Sequence, residues 1–270
     1  MINLTDKDNY KIEVNSSKGN QPKWKIGDFY YKQDYLGYEG LVEYVVSELL
    51  KKSNLSKNEF VEYETEIIQN DRYIRNGCIC KNFLDNNETL STLYRLYKNA
   101  YYQRLINQDV VNVGDNVERV KFIVDKVHDL TGLNDFGIYL CKMIEIDSFF
   151  LNEDRHFNNI AFICENKKYR LCPIFDNGSA LLSDTTLEYP IDKNIYKLID
   201  SVKPKTFVFD FYEQLEAVET IYGQQIEFYF NINDIEIILD KEPYYGKQEK
   251  DRIKTILFEQ MRKYNYLFTN

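Results

Sequence analysis

The apolar periodicity of the chain changes once, near residue 84, and that changeover limits the fold more than any other feature. Before it, alternating runs bounded by Gly, Asn and Asp predict strands at 11–14, in a hairpin over 23–33 turning at Gly27-Asp28, and at 60–68 and 73–83. One helix interrupts them over 38–52, where Leu41, Val42, Val45, Val46, Leu49 and Leu50 recur at helical spacing. After the changeover, helices are predicted at 88–106, 116–130 and 133–150, then two short strands at 160–164 and 169–174. Further helices are predicted between 192 and 222, at 232–239 and at 247–266. A β-rich first lobe with one helix (1–83) and a mostly helical second lobe (84–270) make an α+β, bilobal chain with a cleft between the lobes.

A chain of 270 residues with 44% hydrophobic content buries a substantial core. The start Met1-Ile2-Asn3-Leu4 lacks the basic opening and apolar run of a signal peptide, and no apolar stretch approaches the roughly 20 residues of a membrane span. The expectation is a cytoplasmic protein with no membrane partner. A formal charge of −9 argues against nucleic-acid binding by the chain itself, which needs a basic face. Five cysteines without a Cys-x-x-Cys pair, and two histidines, suggest neither a disulfide framework nor zinc chemistry.

The chemistry is concentrated in Asn152-Glu153-Asp154-Arg155-His156-Phe157-Asn158-Asn159, followed by Phe175-Asp176-Asn177-Gly178. An Asp five residues before an Asn, then a second Asp in an Asp-x-Gly turn, is the order of groups used in phosphoryl transfer. There the first Asp accepts the substrate hydroxyl proton, and the Asn and second Asp hold magnesium against the nucleotide phosphates. The bland reading is that Asp154 caps a turn and Asn159 and Asp176 are ordinary loop residues. The apolar helix before the first motif, the hairpin between the two and the flexible turn at Gly178 favour the functional reading.

Lys32 ends the Phe29-Tyr30-Tyr31-Lys32 strand, where a lysine is usually a solvated edge residue. Its place just before the first lobe's helix makes it the candidate cation for the nucleotide phosphates, held by Glu39 or Glu43, a turn apart on one helical face. Asp147, seven residues before Asp154, either orients the loop through its backbone or Arg155, or is an exposed carboxylate. His156 reads as packing and hydrogen-bonding the loop rather than as an acid–base group, and His128 as a surface or packing residue.

Together, the segment Ser16-Ser17-Lys18-Gly19-Asn20-Gln21-Pro22-Lys23, the Tyr30-Tyr31-Lys32 strand, the helix start Gly37-Tyr38-Glu39-Gly40-Leu41 and the two acidic motifs resemble the HipA-like serine/threonine kinases, including the compact CtkA-type members. The resemblance runs from about Ser16 to Asp176. It implies a two-lobed kinase using ATP and Mg2+, with Asp154 as base, Asn159 and Asp176 as metal ligands, and Lys32 on the phosphates. The loop over the nucleotide is Gly19 to Lys23. The implied nucleotide-binding set is Ser16, Ser17, Gly19, Gln21, Lys23, Lys32, Glu39, Phe83 and His156, with autophosphorylation at Ser16 or Ser17. Implied partners are a protein substrate and an antitoxin or regulatory protein.

The chain departs from that pattern in two ways. About fifteen residues precede the nucleotide loop, so the resemblance does not carry over antitoxin docking through the extra N-terminal subdomain of full-length HipA toxins. The three-glycine loop of ordinary protein kinases is also missing, so anion binding falls to a tight Ser/Gly/Gln turn, assisted by Lys23. Within enzymes the chief rival is a phosphoinositide-type lipid kinase, whose anionic headgroup requires cations after the metal Asp. Between Asn177 and Lys193 stand Asp184, Glu188 and Asp192 with Lys193 as the one basic residue, which favours a polypeptide substrate. The same acid groups also fit a small-molecule phosphotransferase, and a pseudokinase that binds a partner without transferring phosphate is the non-catalytic rival.

Overall fold

The computed structural model describes residues 1–4 and 21–269. The strand expected at 11–14 lies outside them, as do Ser16, Ser17 and Gly19. The first lobe is a five-stranded sheet in the order β1-β4-β5-β3-β2, built from β1 (Ile2–Asn3), β2 (Lys23–Ile26), β3 (Phe29–Gln33), β4 (Tyr63–Gln69) and β5 (Ile74–Lys81). The β2–β3 hairpin turns at Gly27-Asp28 as expected, with Gly27 at φ 56°, a conformation open to glycine at no steric cost. Strand β1 has no counterpart among the expected elements; it is two residues long and pairs parallel to β4, too short to leave a pattern.

The helix α1 (Glu39–Leu50) buries Leu41, Val42, Val45, Val46, Leu49 and Leu50 completely. Each buried side chain of this kind contributes up to about 1.5–3 kcal/mol. Its apolar residues join the same continuous core as the helices of the second lobe, so α1 bridges the lobes rather than serving the sheet alone. At its N-terminal end it meets β5 backbone to backbone: a Cβ on Gly40 would lie 2.5 Å from the Gly77 carbonyl carbon, and one on Gly77 would lie 2.1 Å from the Lys32 carbonyl oxygen. Two glycines therefore set how closely α1 approaches the strand that carries Lys32.

The second lobe contains α2 (Leu93–Ala100), α3 (Ile106–Val111), α4 (Asn116–Thr131), α5 (Phe136–Phe150), α6 (Ile195–Ser201), α7 (Phe211–Tyr222), α8 (Ile232–Lys241) and α9 (Lys247–Lys263), around a small sheet β6-β7-β8 of β6 (Thr89–Thr92), β7 (Ala161–Glu165) and β8 (Lys168–Leu171). The single helix expected over 88–106 is replaced by β6, α2 and the start of α3. Thr89 to Thr92 pair with Cys164 to Ala161, and the Thr92 side chain, on an extended backbone, accepts from the Arg95 N–H and caps α2. Strand pairing with a partner some 70 residues distant thus overrides a local helical pattern. The strand expected over 169–174 stops at Leu171, since Pro173 cannot donate to a ladder.

Helix α5 is buried on nearly all sides and passes through the centre of the lobe. It ends at Leu151, whose backbone is left-handed (φ 57°), and the N–H groups of Leu151 and Asn152 both return to the Asp147 carbonyl. That reversal launches the acidic loop directly from a rigid helix. The β7–β8 hairpin then turns through Asn166 and Lys167, both at positive φ, and brings the chain back to Phe175-Asp176. Among the described residues no helix is long and apolar enough to cross a membrane.

Candidate active site

The loop that begins at Asn152 is held by charge buried beneath it. Arg155, 1% exposed, grips Asp147 with two bonds, Nε to Oδ2 at 2.8 Å and Nη2 to Oδ1 at 3.0 Å. Asn152 Nδ2 donates to the same Asp147 carboxylate (2.8 Å). The remaining guanidinium donors reach the Phe175 carbonyl (2.7 Å) and Asn177 Oδ1 (2.7 Å), tying the first motif to the second. Asp147 therefore orients the loop through Arg155, and the exposed-carboxylate reading is set aside. A charge pair this deeply buried is costly to break from one side. Asp147→Ala is expected to lower stability by about 3–5 kcal/mol, measured by denaturant unfolding; a loss below about 1 kcal/mol would show that Arg155 finds another partner.

Lys32 lies buried on β3, and its ammonium contacts Glu43 Oε1 at 2.5 Å and Asp176 Oδ1 at 2.7 Å. Burial alone would pull its pKa down, but the Asp176 and Glu43 carboxylates outweigh it and hold the pKa well above the ordinary lysine value. Glu43 thus resolves the choice left open by the sequence, and its other oxygen accepts the Asn177 N–H (2.9 Å). Glu39 is turned elsewhere: its carboxylate accepts the N–H groups of Tyr35, Leu36 and Gly37 at the entry to α1. That carboxylate satisfies turn donors that would otherwise be orphaned. Glu43→Ala should cost about 3 kcal/mol, near the low end for a broken buried pair because Asp176 still faces Lys32, and is checked by the shift in the urea midpoint against wild type.

Asp176 sits at φ 61°, a left-handed conformation that is strained for most side chains but tolerable for Asp and Asn. Lys23, from β2, approaches the same oxygen at 3.4 Å. Burial would raise the Asp176 pKa, yet Lys23, Lys32 and Arg155 together hold it far below the usual carboxylate range. Asn159 donates Nδ2 to the Asp154 carbonyl (2.8 Å), fixing its amide against the backbone of the base.

Asp154, Asn159, Asp176, Gln21, Lys23, Glu39 and Gly178 border one small cavity of about 50 Å3 between the lobes. This cavity adjoins a cleft of about 490 Å3 that shares Lys23 and Asp176 with it and adds Lys32. The wall of the cleft is aromatic and apolar: Tyr30, Tyr63, Phe83, Leu84, Leu90 and Phe175, with the Phe83 and Phe175 rings 5.9 Å apart. Lys25, Glu88, Thr89, Thr92 and Arg95 also line the cleft, so an aromatic wall meets polar and charged groups, a combination suited to a ligand with a flat ring and a charged tail. A larger hollow of about 690 Å3 shares Tyr63, Cys80 and Phe83 with the cleft but contains neither Lys32 nor any acid of the two motifs.

The donors at the loop end suit magnesium. Asp176 and Asn159 offer hard oxygen atoms to one cavity, and no cluster of three or more His, Cys, Asp or Glu that would cage a metal is found among the described residues. Magnesium is commonly held by one or two protein oxygens, with substrate phosphates and water completing its shell.

Three further features were not fully legible. His156 is buried, its ring nitrogens make no hydrogen bond among the described residues, and its Nε2 lies 3.9 Å from Asp154 Oδ2. It joins the loop's hydrogen bonding through its backbone instead. Lys205 places Nζ 3.6 Å from Asp154 Oδ1, and Thr206 Oγ1 donates to the Arg155 carbonyl (2.6 Å). Neither Lys205 nor Thr206 belongs to a local motif that sequence reading could detect.

No family model and no curated protein matches the chain. Among solved structures it is similar to the proinflammatory kinase CtkA of Helicobacter pylori, with TM-score 0.65 and 18% identity over 98% of this chain and 96% of that one. It also aligns with the HipA toxin of Shewanella oneidensis, solved with HipB and operator DNA, at TM-score 0.48 and 14% identity over 96% of this chain and 68% of that one. The near-complete two-way coverage by CtkA carries the assignment at the level of architecture. In fold, the chain is similar to the kinase CtkA along nearly its whole length.

Proposed function

We propose that the chain is an ATP- and magnesium-dependent serine/threonine protein kinase. The observation that carries this reading is the convergence of the Glu43–Lys32–Asp176 ion cluster with Asp154 and Asn159 at the end of an aromatic cleft. In this reading the division near residue 84 separates the lobe that covers the nucleotide from the lobe that carries the loop.

Tyr30, Phe83, Leu90 and Phe175 would hold the adenine, and Lys23 and Lys32 would meet the phosphates. Lys23, 3.4 Å from Asp176, lines both the small cavity and the cleft and would be shared between that carboxylate and the phosphates. When bound, magnesium neutralises the charge on the phosphates and orients them, with Asp176 and Asn159 as its protein ligands. Asp154 accepts the proton of the substrate hydroxyl, while Arg155 and Asp147 keep the loop from shifting under it. The exposed acids Glu188 and Asp192 favour a polypeptide with a basic recognition surface over an anionic lipid, while Asp184 is buried and accepts the Leu187 N–H.

Autophosphorylation at Ser16 or Ser17, which lie outside the described residues, belongs to the same proposal; a phosphoserine there adds a charge of about −1.5 to −2. The test is incubation of the pure protein with labelled ATP, magnesium and a cell lysate, followed by phosphosite mapping. Label on serine or threonine, absent in Asp154→Asn, is the expected result. Label confined to lipid, or none at all, would overturn the assignment.

A further inference from the structure

We propose that Lys205 is a further catalytic residue, a cation that holds the transferring phosphoryl group beside the base. The inference rests on the kinase reading above and extends it to a residue outside both motifs. Lys205 Nζ stands 3.6 Å from Asp154 Oδ1, and His156 Nε2 stands 3.9 Å from the other carboxylate oxygen, so the base is flanked on both oxygens by nitrogen-bearing side chains.

The lysine is placed by its neighbours. It lies between α6 and α7, in a segment anchored by the buried Pro204, Thr206 and Phe207, and Thr206 Oγ1 bonds the carbonyl of Arg155, one residue from the base. The segment is therefore tied to the backbone of the loop it serves. The Lys205 side chain is 31% exposed, so its ion pair contributes little to folding. A cation that stability does not require, set against the base, is suited to an anion that comes within reach of Asp154.

A carboxylate base must come close to a phosphoryl group that carries negative charge on its own oxygens, and two anions at this range repel. Lys32 is committed to Glu43 and Asp176 at the metal end. During transfer the substrate oxygen forms a bond to the γ-phosphorus, and the bond to the β–γ bridging oxygen breaks with its electron pair leaving on ADP. The hydroxyl proton goes to Asp154. Lys205 donates to the γ-phosphoryl oxygens and screens them from the carboxylate.

The test uses the full chain with labelled ATP, magnesium and dephosphorylated casein as acceptor, alongside self-labelling. Magnesium-ATP affinity is measured by calorimetry with a non-hydrolysable analogue. Lys205→Ala is expected to lower kcat by about 10²–10³-fold with the analogue Kd within about threefold of wild type and Tm within about 2 °C. Lys205→Arg, which keeps the charge, should recover at least about a tenfold part of the loss. Lys205→Ala with wild-type kcat, while Asp154→Asn is inactive, overturns the role of Lys205 and leaves the kinase reading standing. Wild-type transfer by both variants overturns the kinase reading and this inference with it. Equal losses in kcat for Lys205→Ala and Lys205→Arg, accompanied by a lowered Tm in both, overturn the catalytic role in favour of a structural one.

Discussion

Asp154→Asn lowers kcat by about 10²–10⁴-fold while magnesium-ATP affinity stays within about threefold of wild type. The substitution removes a charge and leaves the shape. The loop around Asp154 is held by Arg155 on Asp147, by Asn159 on the Asp154 carbonyl and by Thr206 on the Arg155 carbonyl, none of which uses the Asp154 side chain. An amide cannot take the substrate proton, so the loss falls on the transfer step. Ground-state binding of ATP has no reason to weaken, since removing an anion near the γ-phosphate reduces repulsion. Single-turnover transfer of labelled phosphate gives the rate, and calorimetry gives the affinity. A variant that transfers at the wild-type rate would remove Asp154 from the mechanism.

The parts of this site that the sequence discloses are those set by contacts close in the chain. The strand that carries Lys32 and the helix that follows it are set by local pattern, whereas the sequence leaves the pairing of Asp147 with Arg155 eight residues later open beside an exposed carboxylate, and burial of both groups decides it. Glu39 and Glu43 share a helical face and cannot be told apart by periodicity; the choice is made by the Gly40–Gly77 contact, which sets how α1 meets a strand 37 residues away. Thr89 to Thr92 form a strand because β7 lies beside them, although apolar spacing there continues the pattern of α2. Lys205 reaches the base only through the packing of Pro204, Thr206 and Phe207, and the left-handed backbone of Asp176 is one that Asp tolerates but does not by itself specify.

That backbone determines how the metal site should be probed. Asp176→Asn is expected to lose magnesium-dependent ATP binding by about 10²-fold or more and to lose several kcal/mol of transition-state stabilisation, which is three or more decades in rate. Asn is preferred to Ala as the replacement because the residue stands at φ 61°, where Asn is tolerated and Ala adds about 1–2 kcal/mol of strain unrelated to the metal. The amide still offers an oxygen to Lys32 and Lys23, which contact the carboxylate at 2.7 and 3.4 Å, but it carries no charge for a hard dication. Because the folded-state pKa of Asp176 is depressed, its contribution to stability is present above the unfolded carboxylate value, about pH 4, and is lost as the pH falls. The variant should therefore be less stable than wild type at neutral pH, with the gap narrowing in acid. Calorimetric titration with ATP in magnesium and in EDTA separates the metal effect from this loss of stability. Wild-type affinity should fall on chelation, whereas the affinity of Asp176→Asn should be nearly the same in both buffers; a variant that responds to magnesium as wild type does would show that Asp176 is not the metal's carboxylate.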